Sequence, residues 1–402
     1  VVVSALTARE LGGTRAAHVL TSVLVGTGVV TLVIGHLLST TSLDVLFWTV
    51  IVLLAMRALR RDEPRWWLAA GLVAGVSLEN KQLVVFLLAG LAVGVLATPP
   101  VRHHLRSAWL WSGVLAALVL YLPNLVWQTT NGWPQLTISA DINREYRVLG
   151  ERIFYVVQQL ILFSPLAGAV WLFGLVQLMR RECLRWARPV AVAYLVMFVA
   201  FLVSGGKGYY VAGILPALAA AGCVVLTQRW SSVRLVVAGS ALALGAAVAW
   251  PAAVPLLSPT AFADSVYASI GEDQLETIGW PAFVATIRGV LADLEPADRA
   301  SAVVYANNYG EAGSLVYYRI GAPVYSGHNG FAAWGPPPAA AAPVVVVGLD
   351  EPSLDFTGCR RAARIDNGLG VDNEEQGTTV WLCDAPRDGW ERAWQRLKHL
   401  DG

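Results

Sequence analysis

The sequence predicts a polytopic α-helical membrane protein with a C-terminal extracytoplasmic α/β domain. Three observations predict this class: the composition, a series of long apolar segments, and a change of character after Pro259. Of the 402 residues, 56% are hydrophobic and 14% are charged, whereas soluble globular chains carry about 25% charged residues. The sixteen Trp and twelve Tyr residues suit the aromatic belts of membrane interfaces. The net charge of +1 excludes a nucleic-acid partner, because nucleic-acid binding requires a basic face.

Apolar windows of about 20 residues predict the membrane-spanning helices, since roughly 30 Å of hydrocarbon requires that length. They cover residues 16–36, 43–59, 108–127, 155–179, 189–204, 209–227 and 233–257. Two shorter stretches, 66–78 and 82–97, form a hairpin, and residues 1–8 read as the end of a further helix. Residues 1–258 are therefore predicted to form a transmembrane domain of about nine hydrophobic segments plus a truncated first one. The chain opens inside an apolar run without Met, and we expect the natural N-terminus to lie upstream.

Basic junctions between these segments alternate with poorly basic ones. Arginines cluster at 57–65, 102–106, 180–188 and 229–234, whereas the junctions 37–43, 79–81 and 204–208 hold few or none. Because short basic loops stay in the cytoplasm, the second set of junctions is predicted to be extracytoplasmic, together with the longer loop 128–153. The expected location is the plasma membrane, with the lipid bilayer as an obligatory partner.

Residues 259–402 hold most of the acidic residues and no predicted span. Short β-like runs at 301–305, 343–348 and 378–382 alternate there with helical patterns, which predicts a small α/β domain. The orientation places this domain outside the cytoplasm. Cys359 and Cys383 are candidates for a disulfide, which an oxidising compartment permits; two unpaired cysteines are the alternative. Their spacing matches no metal-ligand pattern.

A polar triplet, Glu79-Asn80-Lys81, interrupts the short-armed hairpin. Its arms of about 13 and 16 residues reach only roughly 20 to 24 Å as helices, so the turn should lie near the outer interface and somewhat within the protein. Charges at that depth are costly unless they are paired or face a water-filled cavity. A lysine there suits an anionic ligand, above all a phosphate. The alternative is a plain hairpin turn closed by a Glu79–Lys81 pair.

Two other predicted outer junctions carry polar candidates. His36 and Asp44 bracket a hydroxyl-rich turn, and Asp44 is either a helix cap favoured by the helix dipole or a carboxylate that binds a metal or substrate hydroxyls. Lys207 lies in the Gly-rich stretch 204–208 and is followed by Tyr209 and Tyr210. This stretch is either a snorkelling lysine with an aromatic belt or a lysine on a mobile loop that meets a lipid phosphate.

One loop of the C-terminal domain, YSGHNGFAAWGPPP, is rich in Gly and Pro. Its His328 and Asn329 are either structural or polar tips that touch substrate. The chain contains no GxSxG, HExxH, Walker A or GxGxxG motif in a βαβ context, which excludes serine hydrolases, zinc proteases and nucleotide-driven proteins. A lipid-borne activated substrate is then the natural source of energy.

Several segments, in their order along the chain, resemble integral-membrane GT-C glycosyltransferases of the family 39 type, which include protein O-mannosyltransferases and the lipid A aminoarabinose transferase. The matching stretches are TARELGG (7–13), GHLLSTTSLDVLFW (35–48), RRDEPRWWLAAGLVAGVSLENKQLVVFLL (60–88), LPNLVWQTTNGWPQL (122–136) and GGKGYYVAGILPALAAAG (205–222). In the tail, NYGEAGSLVYY (308–318), SGHNGFAAWGPPP (326–338) and WLCDAPRDGWERAWQRLKHL (381–400) are similar to a bacterial subgroup of the family. The resemblance covers nearly the whole chain, and its motifs are specific by their order rather than singly.

The resemblance implies a GT-C-like transmembrane bundle and a reaction at the outer membrane face. A sugar, mannose or a related hexose or pentose, would pass with inversion from a polyprenyl-phosphate donor to a hydroxyl of a glycan, lipid or protein. A carboxylate would act as general base, and cationic groups, with or without Mg²⁺ or Mn²⁺, would stabilise the leaving phosphate. Lys81, Lys207, Tyr209 and Tyr210 would then bind the donor phosphate, Asp44 the acceptor or a metal.

Glu79, Asn80 and His36 are predicted to support that site, with Glu79 orienting Lys81. In the family the principal catalytic acid follows the first transmembrane helix, and this chain is expected to begin after it. The family also often has an acid or Asn where this chain has Thr41. Asp44 is then expected to act in place of that second acidic residue, or its role is lost in this chain. Two alternatives to a transferase are a transporter or flippase, and a catalytically inactive membrane scaffold.

Overall fold

The computed structural model describes residues 1–400, with only the backbone for Pro165 and Leu166. The chain is mostly helical and divides into two compact units, Val1–Val254 and Pro255–Gly402. The boundary lies within a few residues of the change in composition after Pro259.

The first unit is entirely helical in its regular structure. Its α-helices are α1 (Val2–Glu10), α2 (Arg15–Gly26), α3 (Val29–His36), α4 (Thr40–Arg61), α5 (Arg65–Asn80), α6 (Val84–Ala97), α7 (Ala108–Thr130), α8 (Pro134–Glu145), α9 (Leu149–Ile161), α10 (Pro165–Arg180), α11 (Arg188–Ser204), α12 (Leu215–Arg229) and α13 (Ser232–Ala249). Short 3₁₀ turns cover Pro99–Arg106, Glu182–Ala187, Gly208–Val211 and Trp250–Ala252.

Within the described residues, four helical segments are long and apolar enough to cross a bilayer. They are Thr40–Arg61, Ala108–Thr130, Glu182–Ser204 and Ser232–Ala252. A fifth is possible if α2 and α3, which meet at 58°, count as one bent span. Most of α4 is buried in the bundle, whereas α7 and α13 point most of their apolar side chains outward. Outward apolar faces of this length are what a bilayer covers, and the fold is that of a multi-pass membrane protein.

Two predicted continuous spans are broken in the structure. The span 16–36 bends between α2 and α3, and the span 155–179 is interrupted between α9 and α10, where Ser164 caps α10. The two breaks meet: the first N–H groups of α3, from Val29 and Val30, donate to the carbonyls of Phe163 and Leu162 at 2.9 and 2.7 Å. Each break thus satisfies the other's free backbone groups, which is the condition for irregular backbone inside a membrane protein.

Gly28 permits this contact. A Cβ at that position would lie 2.3 Å from the ring of Phe163, so only glycine fits against the opposite break.

Three other predicted segments differ from the observed ones in their bounds, their secondary structure or their packing. The span 209–227 begins as a 3₁₀ turn and becomes an α-helix only at Leu215, with a proline in its first turn, since proline suits a helix start. The predicted loop 128–153 contains α8. The two arms of the predicted hairpin 66–97 form the helices α5 and α6, of 16 and 14 residues, but α5 packs mainly against α7 and α6 mainly against α11 rather than on each other.

The second unit combines helices with a mixed sheet. Its helices are α14 (Pro259–Ala263), α15 (Glu272–Leu275), α16 (Trp280–Ala292), α17 (Pro296–Ser301), α18 (Tyr309–Tyr317) and α19 (Trp390–Leu397). Its strands are β1 (Val303–Ala306), β2 (Val324–Tyr325), β3 (Val344–Val347), β4 (Phe356–Thr357), β5 (Arg360–Arg364), β6 (Thr379–Cys383) and β7 (Ala385–Pro386). Five strands form one sheet in the order β2-β1-β3-β6-β5, and β4 pairs with β7. The pairs of β1 with β2 and β3 are parallel, and those of β6 with β3 and β5 are antiparallel.

The central strands are buried on both faces, which explains their unbroken apolar sequence. Alternate residues of β1 and β3 point to opposite sides: Val304 packs with α16 and α18, whereas Val303 and Tyr305 pack with α19. The sheet therefore lies between two helical layers. Cys359 and Cys383 are joined in a disulfide next to the β5–β6 pair.

Candidate functional site

The turn between α5 and α6 places Lys81 against two other parts of the first unit. Its backbone N–H closes α5 by donating to the carbonyl of Ser77 at 2.8 Å. Its half-buried side chain reaches α4, where Nζ donates to Oγ1 of Thr41 at 3.1 Å. The triplet is therefore not only a solvated turn, because its lysine is drawn into the bundle.

Asp44 lies nearly one helical turn after Thr41 on α4 and is 4% exposed. Its carboxylate attracts the Lys81 ammonium, and its Oδ1 has no hydrogen-bond partner among the described residues. The helix-cap alternative for Asp44 is wrong, because α4 begins at Thr40 and the Ser39 N–H donates to the Ser42 hydroxyl at 3.2 Å. Asp44 instead supplies the buried counter-charge to Lys81.

Lys207, Tyr209 and Tyr210 complete this group. The Lys81 Nζ lies 5.3 and 5.4 Å from the ring centroids of Tyr209 and Tyr210, which is cation–π distance. Lys207 is close enough to repel the Lys81 ammonium, and its own Nζ lies 5.4 Å from the ring of Tyr146. We call the following residues the lysine cluster: Thr41, Asp44, Lys81, Tyr146, Lys207, Tyr209 and Tyr210.

The glycine-rich stretch before Lys207 packs closely against its neighbours. Gly205 has φ +88°, and a Cβ there would lie 2.8 Å from the backbone carbonyl oxygen of Asn143 and 2.9 Å from the Arg147 side chain. Glycine is needed here for the left-handed backbone and for the close approach to α8 and the residues after it. This packing positions the backbone from which the Lys207 side chain extends.

The three predicted supporting residues differ in their contacts. Asn80 Nδ2 donates to the carbonyl of Thr40 at 2.8 Å and ties the turn to the start of α4. Glu79 is exposed, and in residues 1–400 no hydrogen bond or ion pair joins it to Lys81. His36 ends α3 and is exposed, and within the same range it makes no hydrogen bond or ring contact to the lysine cluster. Neither residue contacts the cluster as expected.

His328 and Asn329 lie in the second unit. His328 is 7% exposed. Its ring stacks on that of His399 at 4.4 Å, and its Nδ1 accepts from the Tyr309 N–H at 3.3 Å. These contacts make His328 part of the packing of its loop. Asn329 is half-buried, and its N–H donates to the carbonyl of His399.

Sequence reasoning did not assign a role to Thr41 and did not find Tyr146. Helical spacing could have indicated Thr41, because it lies three residues before Asp44 and thus on the same face of α4. No sequence pattern indicated Tyr146, because it follows α8 in a segment that was predicted as a loop.

The predicted Mg²⁺ or Mn²⁺ ion at Asp44 stays a prediction. Two groups of three potential ligands occur in the described part of the chain, Asp62–His103–His104 and Glu276–Glu374–Glu375, and neither includes Asp44. The lysine ammonium beside Asp44 opposes a second cation at the same carboxylate. The lysine cluster offers two cations, one carboxylate and three aromatic faces, a combination suited to an anion joined to an apolar chain.

The comparisons with known proteins add one match. Residues 1–127 match the family described as dolichyl-phosphate-mannose-protein mannosyltransferase. No curated protein and no solved structure gave a significant match. The matched stretch contains Thr41, Asp44 and Lys81, whereas Lys207 and the tyrosines of the lysine cluster lie beyond it. The first 127 residues of this multi-pass membrane protein thus carry the family signature that supports a glycosyltransferase of the GT-C type.

Proposed function

We propose that the protein transfers mannose, or a related hexose or pentose, from a polyprenyl-phosphate donor to a hydroxyl acceptor with inversion of the anomeric carbon. The observation that carries this proposal is the meeting of Lys81 and Lys207 beside Tyr209 and Tyr210. Two ammonium groups beside the single carboxylate of Asp44 leave an excess of positive charge, which favours an anionic ligand. The family match makes a lipid-linked sugar phosphate the fitting anion.

Lys81 is suited to the donor phosphate by its remaining hydrogen-bonding capacity. An ammonium has three N–H donors, and within the described chain one of them is used, by Thr41. The others would bind phosphate oxygens and stabilise the charge that develops as the C–O bond to the sugar breaks. Lys207 would add a second positive charge to the same phosphate.

Asp44 is suited to the acceptor side of the reaction. Its unpartnered Oδ1 would accept a hydrogen bond from the acceptor hydroxyl and orient it toward the anomeric carbon. The hydroxyl oxygen forms the new glycosidic bond, the electron pair of the broken C–O bond leaves with the phosphate, and the hydroxyl proton passes to a carboxylate base. The scheme needs no metal at Asp44, because the Lys81 ammonium already attracts that carboxylate.

The reaction is proposed to occur at the extracytoplasmic face of the plasma membrane, on a glycan, lipid or protein of the cell envelope. The poorly basic junctions 37–43, 79–81 and 204–208 support this side. These three junctions border or supply most of the lysine cluster. The second unit would lie on that side as well, where its disulfide is chemically stable.

Transport is the second candidate, favoured by the paired breaks at α2–α3 and α9–α10, since transporters often contain broken helices. The two functions differ in their product. A transferase forms a glycosidic bond and releases polyprenyl phosphate, whereas a flippase moves an unchanged lipid-linked sugar into the lumen of a sealed vesicle.

The test uses membranes of a deletion strain that contain the natural protein or a variant, with radiolabelled polyprenyl-phosphate mannose as the probe. Lys81→Met keeps the apolar stem and removes the charge, and we expect transfer to fall by about a hundredfold. Glu79→Gln is the matched control, because Glu79 is exposed and outside the cluster. Undiminished transfer by the Lys81→Met variant contradicts the proposed role, and labelled donor that enters sealed vesicles without a glycosidic product supports transport instead.

A further inference from the structure

Three glutamates from two separate segments of the second unit meet at one point. Glu276 follows α15, and Glu374 and Glu375 lie in the loop between β5 and β6. One carboxylate oxygen of each lies within 4.8 Å of one oxygen of each of the others. Carboxylates repel one another at this separation, so the arrangement needs a reason beyond packing.

Glu375 provides the second observation. It is 8% exposed, and its Oε2 has no hydrogen-bond partner among residues 1–400. A buried carboxylate without a partner is costly. Glu375 also lines a small pocket that it shares with Asn373 and Trp280.

The charges around the three glutamates are negative. Glu375 is repelled by Glu276, Glu311 and Glu374, and Glu276 is repelled by Glu374 and by two aspartates, Asp273 and Asp372. Within residues 1–400 no ion pair to a lysine, arginine or histidine neutralises any of the three carboxylates.

The loop that carries Glu374 and Glu375 is held firmly in place. The Asn373 side-chain amide donates to the carbonyls of Ile278 and Leu275 at 2.9 and 3.3 Å. The Glu374 N–H donates to Oε2 of Glu276 at 3.1 Å. These bonds tie the two segments together, and only the last of them uses a carboxylate, that of Glu276.

We propose that Glu276, Glu374 and Glu375 bind a Ca²⁺ ion that fastens the β5–β6 loop to the segment after α15. Calcium takes oxygen ligands at about 2.3–2.6 Å in flexible geometry, so ligand atoms up to about 5 Å apart reach one ion. Mg²⁺ demands shorter bonds and near-octahedral geometry, which three long, separately anchored glutamates suit less well.

The other group of potential ligands, Asp62–His103–His104, is a weaker candidate because Nδ1 of His104 and Nε2 of His103 already take part in hydrogen bonds. The Trp67 indole donates to Nδ1 of His104 at 3.2 Å, and Nε2 of His103 lies 2.9 Å from Asp62. With Nδ1 of His104 accepting, its Nε2 carries the proton and faces Asp62 at 3.4 Å. That nitrogen then has no lone pair for a metal.

The test uses the full chain in detergent after removal of divalent ions with a chelator. Tb³⁺ is the probe, because it replaces Ca²⁺ and its luminescence is sensitised by a nearby indole, here that of Trp280. We expect Ca²⁺ to displace Tb³⁺ and to raise the melting temperature of the natural protein. Glu375→Gln and Glu374→Gln should each weaken Ca²⁺ competition by about tenfold or more, whereas Glu391→Gln, an exposed acid on α19, should leave it unchanged.

Two further readouts keep the result independent of folding defects. Without Ca²⁺, Glu375→Gln should melt at a higher temperature than the natural protein, because it removes an unpaired buried charge; with Ca²⁺ the order should reverse. Glu374→Gln changes an exposed side chain, and its Ca²⁺ competition tests the proposal by itself if Glu375→Gln does not fold. The proposal is overturned if Ca²⁺ leaves the natural protein unchanged, if both variants bind as it does, or if Mg²⁺ competes equally well.

Discussion

Glu311, in the first turn of α18, should make the stability of the second unit depend on pH. Its carboxylate accepts the Asn308 N–H at 3.1 Å, and the Asn308 side chain accepts the Glu311 N–H at 2.8 Å, a reciprocal capping box. Glu311 is 3% exposed. Burial outweighs these hydrogen bonds and raises the pKa of Glu311 to about 7 from its ordinary value of 4.5.

The direction and size of the effect follow from this difference. The folded protein keeps the Glu311 proton at pH values where the unfolded chain has lost it, so stability is full below about pH 4.5 and declines until about pH 7. At 1.36 kcal/mol per tenfold change in proton affinity, the loss is roughly 3 kcal/mol. For a unit of this size that corresponds to roughly 6–12 °C in melting temperature.

The perturbation is Glu311→Gln, which keeps the shape and a hydrogen-bond acceptor for the capping box and removes the titration. The assay is thermal unfolding of the full chain in detergent, followed by tryptophan fluorescence at several pH values between about 4.5 and 8. We expect the natural protein to lose more stability than the variant across this range. An identical pH dependence of the two proteins would refute the reasoning.

Two further predictions concern the glycine before Lys207 and the disulfide. Gly205→Ala forces a non-glycine residue to positive φ against the carbonyl of Asn143; we expect a loss of about 1–3 kcal/mol in stability and reduced sugar transfer. Gly239→Ala, where a Cβ meets nothing within 4 Å, is the control in both assays, and equal behaviour of the two variants would contradict the packing argument. Replacing Cys359 and Cys383 by Ser should lower the free energy of unfolding of the second unit by about 3 kcal/mol, measured by thermal unfolding. A reducing agent should lower the melting temperature of the natural protein and not of the double variant, and a drop in both would mean that the disulfide is not its target.

Much of the local structure could be predicted because hydrophobic pattern is a local property. The β-like runs at 301–305, 343–348 and 378–382 correspond to β1, β3 and β6, and the hairpin arms to α5 and α6. The breaks within two predicted spans could not be predicted from these patterns. Each break is stable because its free backbone groups bond to the other break, and hydropathy does not report such a partner.

The candidate site shows the same division. The sequence identified Asp44, Lys81 and Lys207 because charged groups are rare and costly in apolar segments. It did not identify their partners. Glu79 and Lys81 are two residues apart at a helix end and do not face each other, whereas Thr41 faces Lys81 because α4 and α5 pack together.

The sequence by itself determined that the chain is a membrane protein with a second α/β unit, because composition and apolar length decide which solvent a segment can enter. It also determined which charged residues require a partner. Only the tertiary structure decided which partners meet, since Lys81, Thr41 and Tyr209 come from helices and turns that are far apart in the chain. The same holds for Glu276 and Glu375, whose separate segments are joined by the Asn373 hydrogen bonds.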